Sequence, residues 1–502
     1  MVAEIAEPIS HASDPIELPE EELRWCSISV QEVIQRESRL KAAVFDIEGR
    51  HARELLEKCK WPIVKVAGKD GLAKAFHFPR FKRIWVEYSE YPIYQPGQIN
   101  EINPKPSGYL SSITQTNIDE LRVSKGQVLV TCSGRSGSIG RTTYVSETLH
   151  GRIFSHDLIR MECSRPETSG YLYAFLRTKT GRTLVKSNEY GAMIPHIEPS
   201  HVESVPVPNP SPILKKQIHD LVIQSYALRD KSNALLDEAE LLLYDALKLP
   251  PLAKLGPSTF DKAADLRNHT VNVSKLAGRL DASYHAPIID AIMLSLKKEA
   301  AEVTTVGDPR VSKHVILPGR FARVYVEEGQ GVPFFGGKQI YQLDPAERKY
   351  LSLIIHGPRI REQLAIEEHM ILITCSGTIG KVAFAPKHWK GLAASQHIIR
   401  VVPFSADIAG YLYVFLSTDH GRELIRRFAY GSAVGEIDAN HVSAVPFPLL
   451  KDASVQTEIN RLALEANAKR TEAYHAEQKA IRTTNEEVIY AETNNTQLVG
   501  EY

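Results

Sequence analysis

The chain repeats itself at long range. Gln127-Val-Leu-Val-Thr-Cys-Ser-Gly134 returns as Ile371-Leu-Ile-Thr-Cys-Ser-Gly377, and Ile139-Gly140 as Ile379-Gly380. Gly170-Tyr-Leu-Tyr173 returns as Gly410-Tyr-Leu-Tyr413, and Tyr190-Gly191 as Tyr430-Gly431. His201-Val202 with Val205-Pro206 returns as His441-Val442 with Val445-Pro446. From Ile139 onward the offset is a constant 240 positions, and about a third of the aligned residues are identical. Solenoid units recur every roughly 20–50 residues, so a period this long marks a duplicated domain. Such a chain has to fold into two like units, and its function has to use both.

Length and charge narrow the choice further. The 502 residues suffice for two to four domains, each with its own core. Formal charge is zero, so contact with nucleic acid has to come from local clusters of Lys and Arg. Five cysteines, Cys26, Cys59, Cys132, Cys163 and Cys375, form no CxxC pair and leave an odd number, which argues against a disulfide framework or a structural zinc site. Residues 1–21 are acidic and proline-containing, with no basic-then-apolar signal pattern, and no apolar run approaches the ~20 residues that cross a bilayer. The expectation is a cytoplasmic protein.

In chain order, the pattern predicts a disordered leader over 1–21, a first unit over 22–210, a long helix over 211–250 and a linker over 251–270. A second unit over 271–450, a second long helix over 451–490 and a flexible tail over 491–502 follow. Within each unit Gln127 to Thr131 and Ile371 to Thr374 read as buried strands that turn through a Ser-Gly loop into a second strand. Gly170 to Arg177 and Gly410 to Ser417 read as short helices with buried aromatics. Each unit leaves through a Pro-x-Pro pair, Pro206/Pro208 or Pro446/Pro448. Beyond the first exit, Ile218, Leu221, Ser225, Leu228, Ser232, Leu235, Ala239, Leu242, Ala246 and Leu249 alternate in steps of three and four. Beyond the second, Val455, Ile459, Leu462, Ala466, Lys469, Ala473, Ala476 and Ala480 do the same with smaller side chains. Two such seams in one chain can bury each other. The expected fold class is α+β: two tandem pseudo-symmetric α/β units joined by two long antiparallel coiled-coil helices.

In their order, twice over, the Ser-Gly/Ile-Gly loops, the Gly-Tyr-Leu-Tyr helices, Tyr190-Gly-Ala-Met-Ile-Pro-His-Ile197, the Pro-x-Pro exits and the long helices resemble the specificity (S) subunit of type I restriction-modification systems. The resemblance covers residues 22 to 490. It implies two target-recognition domains, each reading one half of a split double-stranded DNA site, with the helices as a fixed spacer. It also implies no catalytic centre and no cofactor on this chain. Adenine methylation would belong to two recruited methyltransferase subunits carrying S-adenosylmethionine, with nuclease-translocase subunits in complete systems. One departure is Glu436, which stands where the first copy has His196, so the two loops need not bind alike.

Charge locates the DNA-binding candidates. Residues 60–125 carry ten Lys or Arg against six Asp or Glu, and 304–365 carry nine against six. Arg80, Lys82, Arg83 and Lys105, and Arg320, Arg323, Lys338, Arg359 and Arg361, are candidates for phosphate and guanine contacts. Gln98 and Gln339 are candidates to read adenine. Ser133, Arg135, Ser136, Ser138 and Arg141, with Ser376, Thr378 and Lys381, place hydroxyls and cations on a loop expected at an exposed tip.

Plainer readings stand beside these. Any single Lys or Arg can be solvated surface. Gly134 to Gly140 lacks the Gly-Lys-Ser/Thr ending of a nucleotide loop and runs into a strand. Cys132 and Cys375 follow buried strands with no repeated acid or His at ligand spacing, which favours core residues over nucleophiles. His201 and His441 read as structural hydrogen-bonding residues. Tyr171, Tyr173 and Phe175 read as core more than as base-stacking platforms. The seams can also serve a homodimer. No methylase, P-loop or nuclease signature supports an enzyme, and the competing reading is a coiled-coil scaffold whose recognition-like domains bind protein partners.

Overall fold

The computed structural model describes residues 27–35, 45–134, 137–191, 193–255, 270–276, 278–431 and 434–491. The expected leader, nearly all of the expected tail, most of the 251–270 linker, Arg135 and Ser136 lie outside the described residues.

Each unit is built on one large and one small sheet, and the strand orders match. In the first unit the large sheet runs Pro206–Pro208, Ile63–Ala67, Gly71–Phe76, Leu158–Cys163, Val128–Thr131, Thr142–Tyr144. The second unit divides the same arrangement: Ala300–Thr305 pairs with Pro446–Leu450, and Ser312–Ile316, Ile398–Pro403, Ile371–Thr374 and Val382–Phe384 form a four-stranded sheet. Val128–Thr131 and Ile371–Thr374 are paired on both edges and buried at every position, which explains their unbroken apolar runs. Gly140 and Gly380 close the following hairpins at φ of 74° and 79°, a region closed to most side chains.

The small sheets follow one order as well. Trp85–Val86, Gly108–Leu110, Pro92–Tyr94 and Ile153–Phe154 correspond to Tyr325–Val326, Lys349–Ser352, Gly331–Phe335 and Ala393–Ala394, down to the parallel pairing at one edge. Large and small sheets are tied by a buried guanidinium. Arg160 and Arg400 are each 1% exposed and donate to main-chain carbonyls: Leu121 (3.1 Å) and Phe154 (3.4 Å) for Arg160, Ile398 (2.9 Å), Leu364 (3.1 Å) and Ala394 for Arg400. Burial lowers both to about 10, so each stays charged at neutral pH and draws its solvation from peptide dipoles.

Several repeated motifs now have physical reasons. Helices Pro166–Arg177 and Ala406–Ser417 lie so close to the long helices that a Cβ on Gly170 would come within 2.8 Å of the His219 Cα. One on Gly410 would come within 2.5 Å of the Asn460 carbonyl oxygen. The freed space admits hydrogen bonds from the Gly170 N–H to His219 Nδ1 (3.2 Å) and from the Gly410 N–H to Asn460 Oδ1 (2.8 Å). Tyr171 and Tyr411 donate to the carbonyls of Pro208 (2.5 Å) and Pro448 (2.8 Å), joining the Gly-Tyr-Leu-Tyr helix to the Pro-x-Pro strand. Tyr171, Tyr173 and Phe175 are buried, as the core reading expects. His201 and His441 accept from the Glu198 and Asp438 N–H groups and cap the two short helices.

The long helices are Pro212–Leu247 and Ala453–Thr483. Ser211 and Asp452 cap their first turns. Ser225 Oγ donates to the Ala473 carbonyl (2.7 Å), and Arg470 Nε donates to Ser232 Oγ (3.0 Å), so rising numbers on one helix meet falling numbers on the other. At one end Ile218, Val222 and Ala480 complete the core of the first unit. At the other, Leu235, Ala239, Leu243, Ile459, Leu462, Ala463 and Ala466 join that of the second. Ile218, Ser225, Ser232, Leu235, Ala239, Ala473 and Ala480 are buried as the seams require. Leu221, Leu228, Leu242, Ala246, Val455 and Lys469 are only partly so; Val222, Leu243, Leu247 and Arg470 take the inner face. A straight helix drifts about 20° per heptad from a 3.5-residue stripe, and these helices also pack on both units, which widens the buried face.

Charge is buried where the helices and the first unit meet. Glu477, 2% exposed, lies 2.8 Å from Arg229 Nη2 and 3.5 Å from Arg177 Nε and accepts from the Tyr173 hydroxyl. Burial would raise its pKa, but Arg229 and Arg177, with the Tyr173 hydrogen bond, hold it below the usual carboxylate range. The units also touch directly. Glu101 bridges to Gln342, its own counterpart in the repeat, and the Ile102 N–H donates to the Tyr341 carbonyl (2.9 Å), which marks a local pseudo-twofold axis.

Two substitutions test these junctions. Glu477→Gln leaves two buried guanidiniums without a counter-charge and should cost about 3–5 kcal/mol in urea denaturation. Burial pushes the Glu101 carboxyl up to about 7, against the pull of Lys381. The folded state therefore binds more protons than the unfolded chain between about pH 4.3 and 7, and stability falls as pH rises through that window. Glu101→Gln should be more stable than wild type at pH 8, with the difference closing as pH falls toward 5; an unchanged difference would show that Glu101 is not the group responsible.

Candidate nucleic-acid interface

The sequence candidates fall into an open cleft of the first unit, the corresponding surface of the second unit (the second cleft) and a set of residues used elsewhere. In the first unit Arg80, Phe81, Arg83, Trp85, Ser133, His156, Asp157, Ile194 and His196 line an open cleft of about 500 Å³. The segment after strand Gly71–Phe76 supplies the arginines, and the turn after Val128–Thr131 supplies Ser133. The loop from Tyr190 is folded back on that turn: His196 bridges to both Ser133 and Tyr190, and the Ile197 N–H donates to the Cys132 carbonyl (2.9 Å). Asp157 organises the floor, accepting from Ser133 Oγ (2.9 Å) and pairing with Arg83 (3.3 Å) and His156 (3.4 Å). Burial lowers the His156 pKa despite Asp157. Among the described residues Arg80 forms no ion pair, and it is exposed at the mouth.

The second unit repeats this frame with different chemistry. Ser376 and Tyr430 both bridge to Glu436, which occupies the place of His196. Arg320, the counterpart of Arg80, pairs with Glu436 at 3.1 Å across the mouth, and Arg323 Nη2 donates to Gln396 (2.7 Å) where Arg83 has Asp157. One cleft thus offers a histidine and an unpaired arginine, the other an Arg-Glu pair. The sequence list lacked Asp157, His156 and Gln396. The repeated Ser155 and Ser395, which lie one or two positions before them, were the available signal.

Other candidates are placed differently. Gln98 and Gln339 spend their amides on their own turns: Gln98 accepts from the Gln95 N–H (2.9 Å) and donates to the Lys105 carbonyl (2.5 Å). Gln339 accepts from the Gly336 N–H (2.8 Å) and donates to the Ala346 carbonyl (2.5 Å). Both amides thus brace turns of their own chain segment. Lys105 lies with Asp237 and Glu240 beside the first long helix. Arg141 and Lys381 are not at an exposed tip, because that hairpin faces the opposite unit. Arg141 grips Glu347 of the second unit through Nε (2.9 Å) and Nη2 (2.6 Å), with Arg182 adding a third contact at 3.3 Å. The matching notch holds Pro106 where Glu347 would be, and Lys381 lies over the Tyr341 ring at 5.0 Å. Ser138 and Thr378 accept, through their carbonyls, from Thr131 and Thr374. Lys82 and Lys338 are exposed; Arg359 ends the helix Leu353–Arg359 and Arg361 lies in the turn that continues it.

Residues 325–462 match the family model described as type I restriction modification DNA specificity domain. That segment is similar to a type I restriction-modification DNA specificity domain. The resemblance read from the duplicated motifs is thereby borne out. The chain is also similar to the S subunit of a type I restriction-modification system from M. genitalium (11% identity, 85% of this chain and 94% of that one, TM-score 0.33). It is similar to the HsdS subunit from Thermoanaerobacter tengcongensis (15% identity, 85% and 95%, TM-score 0.26). No curated protein matches the chain. The specificity domain contains the second cleft's Gln396 and Glu436, and the shared strand order places the first cleft in an equivalent unit.

The two conserved-by-repeat cysteines sit behind these clefts. Burial pushes the thiols of Cys132 and Cys375 up to about 12, with Asp157 beside one and Glu436 beside the other adding to the rise. Both should resist iodoacetamide at pH 8 in the native protein and react fully in guanidinium, as mass mapping of the labelled peptides would record.

Proposed function

We propose that the protein is a DNA-specificity subunit of a type I restriction-modification or related phage-defence complex, in which each unit reads one half of an asymmetric, interrupted duplex site. The carrying observation is the pair of clefts with one frame and different linings, fixed on opposite ends of one antiparallel helix pair. A helix of 36 residues extends about 54 Å, so duplex at about 3.4 Å per base pair presents grooves about one to one and a half turns apart to the two clefts. Unlike linings suit unlike half-sites.

The chain itself does no chemistry in this reading. Asp157 is already engaged by Arg83 and Ser133, and Glu436 by Arg320. Two methyltransferase subunits dock on the outer faces of the long helices and bring S-adenosylmethionine for adenine methylation, and nuclease-translocase subunits join them in complete systems. The complex works in the cytoplasm; among the described residues no helix is long and apolar enough to cross a membrane.

Selection of randomised duplexes by the full-length chain tests this. The expected product is a two-part motif with an unspecified spacer, and replacing residues 60–208 by those of another specificity subunit should change one half only. Arg80→Ala should weaken binding and reduce the salt slope by about one. A change in both halves, or recovery of no motif, would contradict the assignment.

A further inference from the structure

The segment Leu353-Ile354-Ile355 puts three consecutive aliphatic side chains into solvent, at 51%, 95% and 57% exposure. Isolated exposed aliphatics are common, but a run of three on ordered structure calls for an occupant. The run opens the helix Leu353–Arg359, and that helix is held firmly. Ser352 caps it through the Ile355 N–H (3.4 Å), the buried His356 accepts from the Val324 N–H (3.0 Å), and Arg359 donates to the Gly319 carbonyl (3.1 Å) while lying 4.8 Å over Phe321. Its exposure is therefore built in.

These anchors also fix its position. Gly319 to Val324 is the segment that carries Arg320 and Arg323 into the second cleft, so the aliphatic tip stands on that cleft's rim. The first unit repeats the placement. The Ser111 N–H donates to the Ile84 carbonyl (2.8 Å) as the Ser352 N–H does to Val324 (3.1 Å), and Ile113, two residues on, is 70% exposed. The charge around the tip selects the occupant. The segments 319–327 and 352–363 together carry Arg320, Arg323, Arg359 and Arg361 against Glu327 and Glu362, with Glu436 facing Arg320, so Arg323, Arg359 and Arg361 are the cations left to meet phosphate. Protein interfaces exclude charge from their apolar centres, whereas DNA-deforming proteins set an aliphatic side chain among phosphate-binding cations and drive it between stacked bases.

Building on the proposed DNA-reading role, we infer that the Leu353–Ile355 tip, Ile354 foremost, is a wedge that enters a base step of the duplex held in the adjoining cleft, with Ile113 as its counterpart in the first unit. Part of the specificity then comes from how easily a step unstacks, independent of hydrogen bonds to base edges. A pyrimidine-purine step beside each half-site is the expected target, because such steps open most readily.

The probe is the set of duplexes selected by the full-length chain, resynthesised with 2-aminopurine at successive positions. Wild type should raise fluorescence at one step flanking the half-site read by the second unit. Ile354→Ala, a surface change that leaves the fold intact, should abolish that rise and weaken binding about tenfold with the salt slope unchanged. Ile354→Leu should restore both. Binding by wild type with no local rise, or a rise that survives Ile354→Ala, overturns the wedge while leaving the DNA-reading role standing. Failure of wild type to bind any duplex overturns both.

Discussion

Two helices from opposite halves of the sequence bury one another, and each finishes a core that its neighbours cannot close alone. Val222 and Ala480 seal the first unit, while Ala239 and Ala466 help seal the second. Neither unit can therefore reach its full stability before the chain has brought its ends together. The Glu477 carboxylate sharpens this dependence: it belongs to the second helix, yet its partners are Arg229 on the first and Arg177 and Tyr173 in the first unit. A buried charge with partners on two other helices favours one register, whereas an alanine seam by itself can slide.

The repeat made the local architecture legible. Strands, hairpins, the Gly-Tyr-Leu-Tyr helix and the Pro-x-Pro exit follow from patterns that act over a few residues, and the structure gives each one a reason, such as the room that Gly170 and Gly410 leave for the long helices. The faces that meet across the halves were less legible. The heptad reading assigned Lys469 to the interior, where Arg470 lies, because a periodic stripe records one partner and these helices have several. The hairpin with Arg141 looked like a free tip for the same reason: nothing near it in sequence announces Glu347, some two hundred positions away. Gln98 and Gln339 have the right chemistry for adenine, but an amide can brace a turn equally well, and only coordinates tell the two uses apart.

The copies differ at most aligned positions, but the residues that organise the frame are among those kept. The buried Arg160 and Arg400, the capping His201 and His441 and the buried thiols are retained in both, while the cleft pairs Asp157/His397 and His196/Glu436 differ. Scaffold positions answer to packing, which is the same in both units. Cleft positions are only partly buried and escape that packing constraint. Duplication followed by change at the rim lets a single chain hold two unlike grips in a fixed relation, without the risk that two separate subunits would pair with the wrong mate.

Among the described residues, the ionic staple between the units has no counterpart at the position related by the repeat. Glu347, held at a φ of 56°, is seized there by Arg141 and Arg182, and the opposite flank has Pro106 in its place. A body stapled along one edge opens as a book does, about its spine. The molecule, though nearly symmetric in its folds, thus has a braced side and an unbraced one.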